Sequence, residues 1–243
     1  MGQLPRTPLP LTPGHPATKA LASLIREHQL VSRVVTALMV YAGRLRQADP
    51  VEAADLGRFA KVFREFADQI HHEKEESILL PLLFRHGLDW NAGVLPLVRL
   101  EHRQESSFID VLCQAARRPT SWSQRERRQI AAAALALAEF QRKHHQMENA
   151  ELFPVVGLQL SEHVLGQLQA ALEAFDSDSR RQEERASLVA LAHELIERYT
   201  PAVAEAQSSA EAVSPPTVFG DGAPDRDGSR SDEADLKGAP RGS

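Results

Sequence analysis

His71-His72-Glu73-Lys74-Glu75-Glu76-Ser77-Ile78-Leu79-Leu80-Pro81 and His144-His145-Gln146-Met147-Glu148-Asn149-Ala150-Glu151-Leu152-Phe153-Pro154 are two copies of one pattern, H-H-x-x-E-x-x-x-L-x-P. A histidine and a glutamate four residues apart lie on one face of a helix. An imidazole and a carboxylate projecting together from an apolar stripe are a metal-ligand pair. A shorter signature, E-H-x-x-x-S, stands upstream of each copy, from Glu27-His28 to Ser32 and from Glu101-His102 to Ser106. His28 precedes His71 by 43 residues, and His102 precedes His144 by 42. The chain therefore delivers H and then H-x-x-x-E twice at nearly equal spacing. Such repetition constrains the architecture before any local signal does.

Around these repeats the sequence reads as all-α. Aromatic residues make up only 5% of the 243 residues, and the apolar ones are mostly Ala, Leu and Val, which favours helix over strand. Helices are expected over about 17–47, 51–85, 92–117 and 123–157, the last opening on a Ser123/Glu126 capping box. Two shorter helices follow, over about 161–175 and 180–199, with apolar faces (Val164, Leu168, Leu172; Leu188, Leu191, Leu195) suited to padding an end or side of the bundle. Residues 1–16 hold five prolines and read as a flexible arm; 17–158 form a metal-binding bundle; 159–200 are a helical extension packing on it; 201–243 are a disordered tail. From His28 to the turn at Pro50, and from there back to His71, the chain travels similar lengths. The two histidines return to one level, as four antiparallel helices in an up-down bundle require.

Each doublet has to be split. The row Phe63, Ala67, His71, Glu75, Ile78, Leu82 is apolar apart from the candidate ligands, whereas Glu65, Asp68, His72, Glu76 is polar throughout. The row Leu137, Phe140, His144, Glu148, Leu152, Val155 contrasts in the same way with Ala138, Arg142, His145, Asn149. His71, Glu75, His144 and Glu148 are therefore expected inside, with His72 and His145 outside them or behind them. His102 lies on an apolar row of the third helix, where Glu105 is a candidate extra oxygen ligand. Lys74 and Glu73 read as solvated, and Met147, Trp122 and Cys113 as packing residues.

Four histidines and two carboxylates on core rows cost several kcal/mol to bury without a cation. Mixed imidazole and carboxylate donors without thiolate suit iron or manganese, and six protein ligands suit zinc less well. The number of donors suits two metals with bridging carboxylates and a position left for a small molecule. The reversed order and four-residue spacing depart from the E-x-x-H pattern of ferritin-like bundles.

The motif set, over about residues 18–158, resembles the hemerythrin-like (HHE cation-binding) family. The resemblance implies a four-helix bundle around a non-haem di-iron centre with His28, His71, Glu75, His102, His144 and Glu148 as ligands. Oxygen-carrying members have a further histidine one turn after the third-helix ligand; that position is Ser106 here. Six-ligand members are associated with sensing of O2 or NO, peroxide decomposition, or iron handling. The expected partner is thus a small ligand (O2, NO or H2O2), with peroxide-decomposing catalysis as an enzymatic version. The rival reading is a non-redox, for example zinc-loaded, interaction module. A net charge of −5 points away from nucleic acid, and no apolar run is long enough to span a membrane. A lone cysteine, Cys113, excludes an intramolecular disulfide framework and fits a reducing cytoplasm.

Overall fold

The computed structural model describes residues 11–12, 14–117 and 122–201. The proline-rich segment 1–10 and the tail from 202 lie outside them. Among the described residues the chain is all-helical, without a strand. The helices are α1 (Pro16–Ala20), α2 (Ala22–Gln47), α3 (54–85), α4 (Val94–Ala116), α5 (124–159), α6 (Glu162–Asp176) and α7 (Ser179–Arg198). Helix α5 opens on the expected capping box, with the Ser123 hydroxyl accepting from the Glu126 N–H and the Glu126 carboxylate accepting from the Ser123 N–H.

The first expected helix is two. Pro16 is not in an arm but at the first position of α1, where its missing N–H costs nothing, and the His15 ring accepts from the Ala17 N–H as the cap. The chain bends at Leu21, which is fully buried, so Ala17, Ala20 and Leu24 all reach one apolar cluster. Helix α3 begins at Ala54, three residues later than expected, after a turn through 51–53. Both α3 and α5 contain wide i→i+5 turns, at Val62–His71, Glu75–Leu79 and Glu148–Leu152. The turns at Glu75 and Glu148 sit just before Pro81 and Pro154. A proline inside a helix removes a backbone donor and crowds the preceding turn. Widening that turn keeps the helix continuous, with the Leu80 and Phe153 N–H groups donating to the carbonyls of Glu75 and Glu148.

Helix α2 lies along α5, α5 along α4, α4 along α3, and α3 closes against α2. Their apolar faces form two clusters. One takes the C-terminal parts of α2 and α4 (Val31–Leu45; Ile109, Leu112) and the N-terminal parts of α3 and α5 (Leu56–Ile70; Ile130–Ala138). The other takes the opposite ends: Leu24, Leu95 and Val98 with Leu79–Leu83 and Leu152–Val156. Helix α7 joins the first cluster through Leu188, Ala192, Leu195 and Tyr199, and α6 joins the second through Val164, Leu165, Leu168 and Leu172. The Tyr199 hydroxyl donates to the fully buried Asp55 (2.7 Å), pinning the end of α7 to the start of α3.

Between the two clusters every helix of the four carries buried polar residues: Glu27 and His28; His71, His72, Lys74 and Glu75; His102 and Glu105; Gln141, His144, His145 and Glu148.

Candidate metal centre

The E-H dipeptides and the doublets build this polar layer together. His28 and His102 project from α2 and α4. The glutamate before each reaches the first histidine of the following doublet: His71 Nδ1 lies 3.1 Å from Glu27 and His144 Nδ1 lies 2.8 Å from Glu101. The residue after each inward glutamate reaches back. His102 Nδ1 is 2.8 Å from Glu76, and His28 Nδ1 is 3.2 Å from Asn149 Oδ1. All four Nδ1 atoms therefore face an oxygen acceptor. In the neutral ring that places the proton on Nδ1 and leaves Nε2 as the lone pair a metal needs.

The four Nε2 lone pairs converge. His28 Nε2 and His71 Nε2 stand 3.0 Å apart with no proton for either to donate in that tautomer. Glu148 extends Oε2 to 3.2 Å from His28 Nε2 and Oε1 to 3.4 Å from His144 Nε2. Glu75 does the same in mirror fashion, with Oε1 3.8 Å from His71 Nε2 and Oε2 3.3 Å from His102 Nε2. Each carboxylate thus offers one oxygen to the His28–His71 pair and one to the His102–His144 pair. Both glutamates are fully buried, and none of their four oxygens accepts a hydrogen bond. Unpartnered buried carboxylates and lone pairs are costly, and a cation in each half would satisfy them. Donor atoms from His28, His71, His145 and Glu148 lie within 4.8 Å of one another, as do those from Glu75, His102, His144 and Glu148. These buried clusters can hold metal ions.

Electrostatics in the metal-free chain points the same way. Burial alone would strip the proton from His102, but the carboxylates of Glu148, Glu75 and Glu76 push its pKa up to about 12. Burial opposes protonation of His144 too, and Glu148 and Glu101 lift it to about 9. Burial would raise Glu148, yet His144, His102 and His28 hold it well below the usual carboxylate range. Protons on imidazole thus stand in for the missing positive charge.

All six residues expected as ligands are in this cluster. The doublet partners, however, are not outside it. His72 and His145 are only 3% and 4% exposed. Successive helical residues diverge by about 100°, and each helix here has a neighbour on either side. His71 turns to α2 and His72 to α4; His144 turns to α4 and His145 to α2. The single-stripe reading missed this second neighbour. His72 stacks on His102 (centroids 3.8 Å, planes 11° apart) and His145 on His28 (4.1 Å, 14°). Their ring nitrogens still lie close to the other donors: His145 is within 4.8 Å of those of His28, His71 and Glu148, and His72 of those of His102 and His144. Burial and the neighbouring imidazoles hold both rings well below the usual histidine pKa, so they are neutral.

Lys74, expected in solvent, is fully buried, its ammonium 2.6 Å from Glu27 and 2.5 Å from Asp176 of α6. Burial opposes ionisation of Glu27, but His71 and Lys74 bring its pKa down to about 2. Arg185 of α7 donates to the same Glu27 oxygen at 3.0 Å. Glu105 is in none of the donor groups. It accepts from the Gln141 amide, lies 3.4 Å from His72 Nε2, and is pushed by burial up to about 7. The sequence reading gave no role to Glu27, Glu101, Glu76 or Asn149; the duplicated E-H dipeptide was the visible signal for the first two.

No family model matches the chain, and no curated protein or solved structure matches it. Among the described residues no helix is long and apolar enough to cross a membrane.

Proposed function

We propose that this chain is a hemerythrin-like protein: α2 to α5 form an antiparallel up-down four-helix bundle that holds a non-haem di-iron centre and binds, senses or reacts with O2, NO or H2O2 in the cytoplasm. The observation that carries the reading is the pair of donor-less glutamates, each divided between two histidine pairs. The alternation of helix ends between the two apolar clusters supports opposed chain directions for successive helices.

His28 and His71 would hold one iron and His102 and His144 the other, with Glu75 and Glu148 shared between them. Hard oxygen and borderline imidazole donors without thiolate favour iron. Iron in such a site supplies a redox-active Lewis acid with a position open to a small ligand. The chain's own contribution is orientation. Glu27, Asn149, Glu76 and Glu101 fix the four rings through Nδ1, and the two apolar clusters flank the layer on either side along the bundle.

Metal analysis of anaerobically purified protein, followed by optical spectra on adding O2, NO and peroxide, tests the reading. The expected result is about two irons per chain, as the bridging donor set requires, with a charge-transfer absorption that changes with one of these ligands. Faster peroxide loss than with free iron would place the protein among enzymes. Zinc alone, with no response to any of the three, would instead make it a non-redox interaction module.

A further inference from the structure

Aligning His71–Glu75 with His144–Glu148 matches α3 to α5 residue by residue, and beside the candidate ligands the two copies differ in charge. Asp68, Glu73 and Glu76 of α3 stand where α5 has Gln141, Gln146 and Asn149. At each position a carboxylate replaces an amide of similar reach, so charge is the main difference. All three carboxylates line one cleft of about 560 Å³ between α3 and α4, together with Arg103 and His102. Arg64 reaches Asp68 (2.6 Å), Arg181 reaches Glu73 (3.1 Å), and Glu76 holds His102 Nδ1. The two arginine pairs are partly exposed. Pairs of this kind contribute little and yield readily to a competing cation.

The floor of the cleft is His72, which is 3% exposed and has neither ring nitrogen in a hydrogen bond. Its Nδ1 lies 3.7 Å from Asp68 Oδ1. Its ring stacks on His102, and nitrogens of His72, His102 and His144 lie within 4.8 Å of one another. An unpartnered imidazole thus stands between the acidic cleft and the centre. Its counterpart His145 has Gln141 in place of Asp68, and Phe153 stacks on the adjoining His28 (5.1 Å, 13°).

We propose that this cleft is a capture site for a hydrated divalent cation, held by Asp68 and His72 and passed on to the His102–His144 half of the centre. The proposal rests on the reading of the cluster as a metal centre. Carboxylate and imidazole donors suit a first-row divalent ion, Fe2+ under that reading. A concavity lined by carboxylates raises the local concentration of such ions and speeds their arrival. With two protein donors and water completing its shell, the ion is held loosely enough to move inward. His72 therefore serves loading rather than final ligation.

The probe is Co2+, mixed rapidly with the metal-free full chain. The rise of its visible absorption gives the loading rate, and metal analysis gives the final content. Asp68→Asn combined with Glu73→Gln gives this half amides like those of the other. The double variant should load about tenfold more slowly at low ionic strength, with the gap narrowing as salt is added and the final content unchanged. His72→Ala should also load slowly and reach the wild-type content. Gln146→Glu, at the matched exposed position of the other half, should stay within about twofold of wild type. Glu73→Gln alone, at an exposed position, replaces the double variant should that lose helicity, and should load about threefold more slowly. Wild-type loading rates in a folded acid-to-amide variant would overturn the capture site while leaving the metal centre standing. Loss of bound Co2+ from His72→Ala would make that ring a permanent ligand and overturn its transfer role. A wild-type chain that takes up no Co2+ would overturn the metal centre itself, and the capture site with it.

Discussion

At the scale of single residues, the account turns on which nitrogen of each imidazole is free. Four Nδ1 atoms are occupied by Glu27, Asn149, Glu76 and Glu101. Outer partners of this kind tune metal affinity, so Glu101→Gln should weaken binding about 10- to 100-fold in a metal titration while the helical circular dichroism is unchanged. His71→Ala should lose most of the bound metal, whereas His72→Ala should retain it, because His71 Nε2 lies beside Glu75, which reaches both histidine pairs, while His72 Nε2 faces Glu105. Metal analysis of the two variants checks the pair, and equal loss would show that the doublet histidines ligate. The pH dependence has a definite sign. In the metal-free chain His144, with its pKa lifted to about 9, carries a proton at neutral pH that an entering cation must displace. Metal affinity should therefore rise with pH, by about tenfold per unit for each proton displaced, with the His144 contribution levelling off above about 9 and that of His102 persisting beyond it. The metal-free fold behaves oppositely. A raised imidazole pKa contributes stability below the unfolded value of about 6.5, and that contribution is lost as pH climbs toward the folded value. Thermal unfolding with and without chelator between pH 7 and 9 should show the two forms diverging. The six candidate ligands were legible in the sequence because they repeat. The burial of His72, His145 and Lys74 was not, because each depends on a second neighbouring helix, and for Lys74 on Asp176 a hundred residues away.

At the scale of the elements, helix existence and order followed from apolar periodicity, caps and prolines. The break at Leu21 and the wide turns at Glu75 and Glu148 did not, because packing and the downstream prolines impose them. Those turns place Glu75 and Glu148 at equivalent points in α3 and α5. Helix α7 is fastened in part by contacts that sequence could not reveal, the Tyr199 hydroxyl and the Arg198 guanidinium on buried Asp55. Asp55→Ala strands that hydroxyl and should cost about 1–3 kcal/mol of stability in denaturant unfolding. Metal content should be unaffected, since Asp55 belongs to the cluster that lies beyond the ligand layer. Gly157 shows a tighter constraint. A Cβ there would fall 2.8 Å from His15 Cε1 and 2.9 Å from Leu11 Cδ2, so Gly157→Ala should displace the His15 and Leu11 side chains.

At the scale of the whole molecule, a charged layer separates two apolar clusters, and α6 and α7 brace it from outside. Lys74, Asp176 and Arg185 tie those two helices to Glu27 and through it to His71. The clusters can hold the helices together without metal, so removal should lower the unfolding temperature rather than abolish the fold. A free metal concentration about a thousandfold above Kd adds about 4 kcal/mol. The most direct measurement is anomalous scattering at the iron edge from crystals of the iron-loaded chain. Two peaks are expected, one between His28 and His71 and the other between His102 and His144, with Glu75 and Glu148 reaching both. No peak in the layer, or a single one that leaves either histidine pair without a partner, would contradict the account.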